Sequence, residues 1–103
     1  MFGNKSGYKG PYRISGSLAR LIGEEWGKLP QAGDHWVEYL AVSRPHPQDQ
    51  KLIDVRIFDS WCAAQKKVDV KDFSSLDGHP DLILMEGWCD EKGGKGSIRA
   101  KAA

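Results

Sequence analysis

Apolar side chains recur at helical spacing in the segment around residues 17–28. They share one face of a helix with 3.6 residues per turn: Leu18, Leu21, Ile22, Trp26 and Leu29. Ser15 or Ser17 can supply the oxygen that caps the first turn. Pro30 ends the run, because it lacks the amide hydrogen that would continue the helix. The pattern predicts a helix over about residues 17–28.

Four later segments have the composition of β-strands. Residues 35–42 are rich in aromatic and β-branched side chains on both alternating faces, which predicts an inner strand. Residues 53–57 alternate Ile and Val with polar residues, which predicts a half-buried strand that pairs with the first as a hairpin. Residues 82–88 form the most apolar run and predict a central strand. Residues 97–100 predict an edge strand whose basic side chains protect it against aggregation.

Shorter elements are expected between the second strand and the central one. Asp59-Ser60 is typical of a helix start, and predicts a helix of about two turns. Residues 68–70 predict a brief strand. Residues 71–76 predict a helical turn with Phe73 and Leu76 facing inward.

These elements predict the α+β class: an N-terminal helix packed on a small, mainly antiparallel sheet of three to five strands, with a second short helix. Residues 1–13, rich in Gly, Lys and Tyr, are interpreted as a flexible basic arm. Residues 14–103 are interpreted as a single globular α+β domain. A chain of 103 residues has room for one modest core, and its 40% of hydrophobic residues excludes a wholly disordered chain.

Small residues form a ridge on the predicted helix, with Ala19, Gly23 and Gly27 at spacings of four. Each interior glycine costs about 1 kcal/mol relative to alanine, so the ridge should bring a compensating gain. Close approach of the helix to a sheet or to a second copy is one explanation. A ligand that lies against exposed backbone is the other, and it makes Gly23 and Gly27 candidate binding residues.

Four Trp and three Tyr side chains give the chain a high aromatic content. Core packing accounts for most of them, but so small a chain has little room to bury all four Trp rings. Trp36, Trp61 and Trp88 are therefore the candidate binding residues among the aromatics. They suit a protein partner or a second copy of the chain, and equally a stacking surface for single-stranded nucleic acid.

The net charge of +1 conceals a segregated pattern. Residues 1–29 carry a net charge of +3, residues 30–91 carry −6, and residues 92–103 carry +4. The basic ends suit nucleic acid, but they also suit the acidic middle of the same chain or of a copy. The sequence pI of about 7.8 lies below the value near 9 that is usual for nucleic-acid-binding domains, which favours charge balance.

Residues of metal and thiol chemistry are few and scattered. Asp77, His79 and Asp81 alternate in a loop and carry groups that bind Zn²⁺, although Asp, Gly and Pro in this order are equally typical of a turn. Cys62 and Cys89 each follow a Trp, which is typical of buried structural thiols. We therefore predict no metal, no cofactor and no catalytic residue.

The function predicted is that of a non-catalytic protein-interaction module, with another protein or a copy of itself as partner. The alternatives are a nucleic-acid-binding accessory domain that uses the basic ends, and a small metal- or thiol-dependent enzyme. The N-terminal segment has no apolar stretch typical of a secretory signal, and the longest apolar run is far shorter than the roughly 18–20 residues that span a bilayer. The expected location is the cytoplasm, away from the membrane.

Overall fold

The computed structural model describes residues 9–14, 16–26, 39–90 and 95–100. These residues form an antiparallel sheet of five strands with short helices. In chain order the elements are β1 (Lys9–Arg13), α1 (Gly16–Leu21), α2 (Gly23–Trp26), β2 (Tyr39–Pro45), β3 (Leu52–Asp59), α3 (Ser60–Gln65), two 3₁₀ turns (Phe73–Leu76 and Pro80–Leu82), β4 (Ile83–Asp90) and β5 (Gly96–Ala100).

The strands lie in the sheet in the order of the sequence, and each is antiparallel to its neighbours. The predicted hairpin of β2 and β3 is confirmed, with Tyr39 opposite Asp59 at one end and Pro45 opposite Ile53 at the other. The middle strand is β3, so the prediction of a central strand at residues 82–88 is corrected to an inner position for β4, between β3 and β5. The predicted edge strand is confirmed as β5, which lies at one edge of the sheet formed by the described strands.

The first face of the sheet carries one of two apolar clusters. Its buried members come from the turn between α1 and α2 and from β2 to β5: Ile22, Ala41, Val55, Ile57, Met85, Cys89 and Ile98. Leu18 and Leu21 of α1 pack against this cluster. Leu18, Leu21 and Ile22 belong to the apolar stripe of the predicted helix, and the single helix packed on the sheet stays a prediction.

The second face carries the other cluster, under α3 and the 3₁₀ turns. Its buried members are Val42, Phe58, Ala63, Phe73, Leu76, Leu82 and Ile83. An irregularity in the pairing of β3 and β4 sets Met85 opposite Ile57 but Ile83 opposite Phe58. Since adjacent residues of β3 point to opposite faces, β4 supplies side chains to both clusters.

Of the three short elements predicted after β3, two are confirmed and one is not. The helix start is confirmed: the Asp59 side chain accepts hydrogen bonds from the amides of Trp61 and Cys62 at the beginning of α3. The inward turn is confirmed, with Phe73 and Leu76 buried. The prediction of a strand over residues 68–70 was wrong, because this segment pairs with no described strand. Its apolar side chains pack against the second cluster instead.

The N-terminal end of the described chain holds one short strand and two short helices. In place of one helix over 17–28, the described residues hold α1 and α2, separated by a turn at Ile22. A longer helix stays a prediction, since residues 27 and 28 lie outside the described residues. Lys9–Arg13, assigned to a flexible arm, pairs instead with β2 as strand β1, where Tyr12 packs against the first cluster. The rest of that arm also lies outside the described residues, and the division into arm and domain stays a prediction.

Candidate functional site

Two rows of side chains cross the second face of the sheet beside the cluster that α3 covers. In one row Val42, Arg56, Glu86 and Arg99 are opposite one another on β2 to β5. In the next row Arg44, Asp54, Trp88 and Ser97 are opposite one another. Residues two apart on a strand share a face, so both rows lie on the side of the buried Val42. We call the polar and aromatic members of these rows the Trp88 surface: Arg44, Asp54, Arg56, Glu86, Trp88, Ser97 and Arg99.

Trp88 is the large apolar side chain of this surface, and 40% of it is exposed. It projects from an inner strand, with Asp54 opposite on one side and Ser97 opposite on the other. Backbone hydrogen bonds on both sides hold its strand. The indole is therefore carried by a strand that is paired on both sides.

Ion pairs hold the charged side chains around Trp88. Arg44 Nε lies 3.3 Å from Asp54 Oδ2, and His46 Nε2 lies 3.8 Å from Asp54 Oδ1. Arg56 Nε lies 3.9 Å from Glu86 Oε1. Basic and acidic groups alternate across the surface, so its charges are nearly balanced.

Arg56 also connects the sheet to the first 3₁₀ turn. Its Nη1 donates hydrogen bonds to the carbonyl oxygen of Phe73 at 3.0 Å and to Asp77 Oδ1 at 2.8 Å. The guanidinium carbons of Arg56 and Arg44 lie 3.9 and 4.3 Å from the centroid of the Phe73 ring, within the range of cation–π attraction. Phe73 itself is only 4% exposed. Both arginines are therefore fixed before any partner arrives.

Trp61 and Trp88, the described members of the aromatic residues chosen from the sequence, lie apart. Trp61, 38% exposed, lies on the first turn of α3. This turn follows Asp59, which is five residues along β3 from Asp54, or roughly 17 Å at the rise of a strand. Trp61 and Trp88 are therefore separate features.

The remaining candidates from the sequence are Gly23 and Gly27 of the small-residue ridge, and Trp36. Gly23 begins α2, and no described atom lies within 4 Å of the position that a Cβ would take there. Among the described residues, none packs closely at this position. Trp36 and Gly27 lie outside the described residues.

Sequence reasoning missed Arg44 and Arg56. Their strands carry the alternation that places every second residue on one face, but only the structure shows that both guanidinium groups lie against the Phe73 ring and that Asp54 lies between Arg44 and Trp88. Arg56 was identified simply as a polar position of a half-buried strand.

In the loop of residues 77–81, which was considered for a metal ion, both carboxylates interact with basic side chains. Asp77 accepts a hydrogen bond from Arg56, and Asp81 pairs with Lys66. The hydrogen bond from Lys66 lowers the pKa of Asp81. In the described part of the chain, no three His, Cys, Asp or Glu side chains come together in a way that could hold a metal ion.

Both thiols have environments that disfavour the thiolate. Burial raises the pKa of Cys89 to about 11, and the charge of Asp90 adds to this effect. Burial also raises the pKa of Cys62, together with a hydrogen bond to Asp59. A nucleophilic cysteine requires the opposite shift.

No known family model, curated protein or solved structure matches the chain. None of the helices in the described ranges has the length and hydrophobicity that crossing a bilayer requires. The function is therefore inferred from the chemistry of the Trp88 surface.

Proposed function

We propose that the chain is a non-catalytic protein-interaction module that binds its partner through the Trp88 surface. The observation that carries this proposal is the exposed indole of Trp88 on an inner strand, with fixed arginines around it. Trp and Arg are the residues most enriched among those that dominate binding energy at protein interfaces. A surface that is already ordered also loses little conformational entropy on binding.

The charge pattern favours protein over nucleic acid as the partner. Nucleic acid is bound chiefly by cations that neutralise phosphates, which requires an excess of basic groups. The Trp88 surface holds three basic and two acidic side chains. Arg44 is paired there with Asp54, and Arg56 with Asp77 and Glu86. A protein partner with complementary polar groups suits this mixed surface better than a polyanion does.

The non-catalytic character of the proposal is supported by the state of the thiols. The raised pKa values of Cys62 and Cys89 leave little thiolate at neutral pH. Both cysteines are free, which is in keeping with a reducing compartment, and we propose the cytoplasm as the place of action.

The test compares three forms of the chain as bait in an extract of the cells that make it: the native sequence, Trp88→Ala and Trp61→Ala. A protein retained by the native chain is then purified and titrated against all three. We expect Trp88→Ala to weaken binding at least tenfold, as for a residue that dominates an interface. Trp61→Ala, a matched loss of an exposed indole, should change the affinity less than twofold.

Equal affinities for Trp88→Ala and the native chain would reject the Trp88 surface as the binding site. Retention that nuclease treatment abolishes would identify nucleic acid as the ligand. A dimer in sedimentation equilibrium that Trp88→Ala dissociates would identify a second copy as the partner.

A further inference from the structure

A cleft runs along the outer side of β5. Its volume is about 320 Å³, and it lies between Arg20, Leu21 and Glu25 of the N-terminal helices and residues 96–99 of β5. Among the described strands, β5 pairs only with β4, so the cleft borders a free edge of the sheet. Free edges present unpaired backbone groups that can accept another strand.

The direction of these backbone groups follows from two hydrogen bonds. The amide of Asp90 donates to the carbonyl oxygen of Lys95 at 2.9 Å, toward the β4–β5 pair. The amide of Ala100 instead donates to Glu25 Oε2 at 3.1 Å, away from β4. Since backbone groups alternate along an antiparallel strand, the amides of Gly96 and Ile98 share the outward direction of Ala100.

The charges around the cleft indicate what kind of strand it would accept. Arg20 and Arg99 line it, and Lys95 lies next to the start of β5. The one acidic residue among its lining residues, Glu25, accepts the outward hydrogen bond of Ala100. The outward amide of Ala100 is thus already bound by a carboxylate of the chain itself.

We propose that the free edge of β5 binds an extended, acidic segment of a partner protein as a sixth strand. This inference rests on the proposed function, that the chain binds protein, and adds the form and charge of the ligand. Backbone hydrogen bonds at Gly96 and Ile98 would supply affinity, as in other cases of strand addition, and the basic side chains would select for acidic residues. A second copy paired through β5 would set Arg99 and Lys95 against the same basic residues, which disfavours that occupant.

The experiment uses three synthetic eight-residue peptides with blocked ends. One alternates Val and Glu, one alternates Val and Lys, and the third is the Glu peptide with every second backbone amide methylated. We expect the Glu peptide to bind at least tenfold more tightly than either control. Hydrogen exchange measured by NMR should slow at least tenfold at the amides of Gly96 and Ile98 when the Glu peptide binds.

Variants of the full chain locate the binding. Arg20→Glu should weaken binding of the Glu peptide at least tenfold at low salt. Lys51→Glu, the same charge change at an exposed turn between β2 and β3, should have less than a twofold effect. Trp88→Ala should retain peptide binding, because Trp88 does not line the cleft.

Three results would overturn the inference: no binding of the Glu peptide, equal binding of the methylated or Lys peptide, or unchanged exchange at Gly96 and Ile98. If a purified partner binds in a Trp88-dependent manner while these amides stay unprotected, the inference about the edge fails and the proposed function stands. If the edge binds the Glu peptide while partner binding is indifferent to Trp88→Ala, the Trp88 surface fails and the inference about the edge stands.

Discussion

Trp88 of β4 lies directly opposite Asp54 of β3. The carboxylate of Asp54 is in turn held by Arg44, whose Nε lies 3.3 Å away on β2. An exposed indole therefore borders an ion pair that is formed in the free protein. A partner that covers Trp88 meets a charged group of fixed position, and this favours one orientation of binding over others.

The connection between the N-terminal helices and the sheet can be tested at Ile22. This side chain is 1% exposed within the first cluster, so Ile22→Ala should lower the free energy of unfolding by about 2–5 kcal/mol. Leu21 is only partly buried, and Leu21→Ala should cost less. Urea denaturation followed by tryptophan fluorescence measures both. An unchanged midpoint for Ile22→Ala would contradict the packing described for α1 and α2.

Much of the fold could be predicted because periodicity reports which face of an element is buried. The alternation at residues 53–57 predicted β3, and the carboxylate of Asp59 predicted the start of α3. The same reasoning gave the wrong result for residues 68–70. Two Val residues two positions apart resemble a strand, but their packing against the second cluster requires no strand partner. Periodicity alone does not distinguish these cases.

The candidate site was less predictable, because it depends on register between strands. Composition indicated Trp36, Trp61 and Trp88 alike as candidates, and it could not show how far the ring of Trp88 is exposed. Arg44, Asp54 and Trp88 come together through strand pairing. Asp54 and Trp88 are more than thirty positions apart in the sequence. The cleft beside β5 likewise needed the contact of Glu25 with Ala100, which no local pattern indicates.

Arg56 should hold the first 3₁₀ turn against the sheet. Arg56→Lys removes the planar guanidinium group that donates hydrogen bonds to the Phe73 carbonyl oxygen and to the Asp77 carboxylate. We therefore expect the free energy of unfolding to fall by about 1–3 kcal/mol. Asp77→Asn is the control: the Asp77 side chain is 61% exposed, so weakening its ion pair should cost no more than about 1 kcal/mol. Chemical denaturation of both variants provides the comparison. A larger loss for Asp77→Asn than for Arg56→Lys would show that the contact with Phe73 has little effect.

The buried thiol of Cys89 predicts a loss of stability at high pH. Folding raises the pKa of this thiol from an ordinary value of 9.0 to about 11. Between pH 9 and 11 the unfolded chain releases this proton and the folded chain retains it, so stability falls as the pH rises through that window. Below pH 9 both states are protonated and the thiol adds no pH dependence.

Cys89→Ala isolates this effect. The variant lacks the thiol, so its denaturation midpoint should fall less steeply between pH 9 and 11 than that of the native chain, whatever the offset between them at neutral pH. Parallel pH profiles for the two proteins would show that Cys89 titrates at its ordinary pKa in the fold.

The most direct test of the Trp88 surface is ¹⁹F NMR of the chain labelled with 5-fluorotryptophan, with the resonances assigned from Trp88→Phe and Trp61→Phe. In an extract of the cells that make the protein, we predict that the Trp88 resonance broadens or shifts while that of Trp61 stays unchanged. The change should survive nuclease treatment of the extract and disappear when the extract is first digested with protease and the protease inactivated. An unmoved Trp88 resonance, or a change that nuclease removes and protease does not, would contradict the proposal that this surface binds protein.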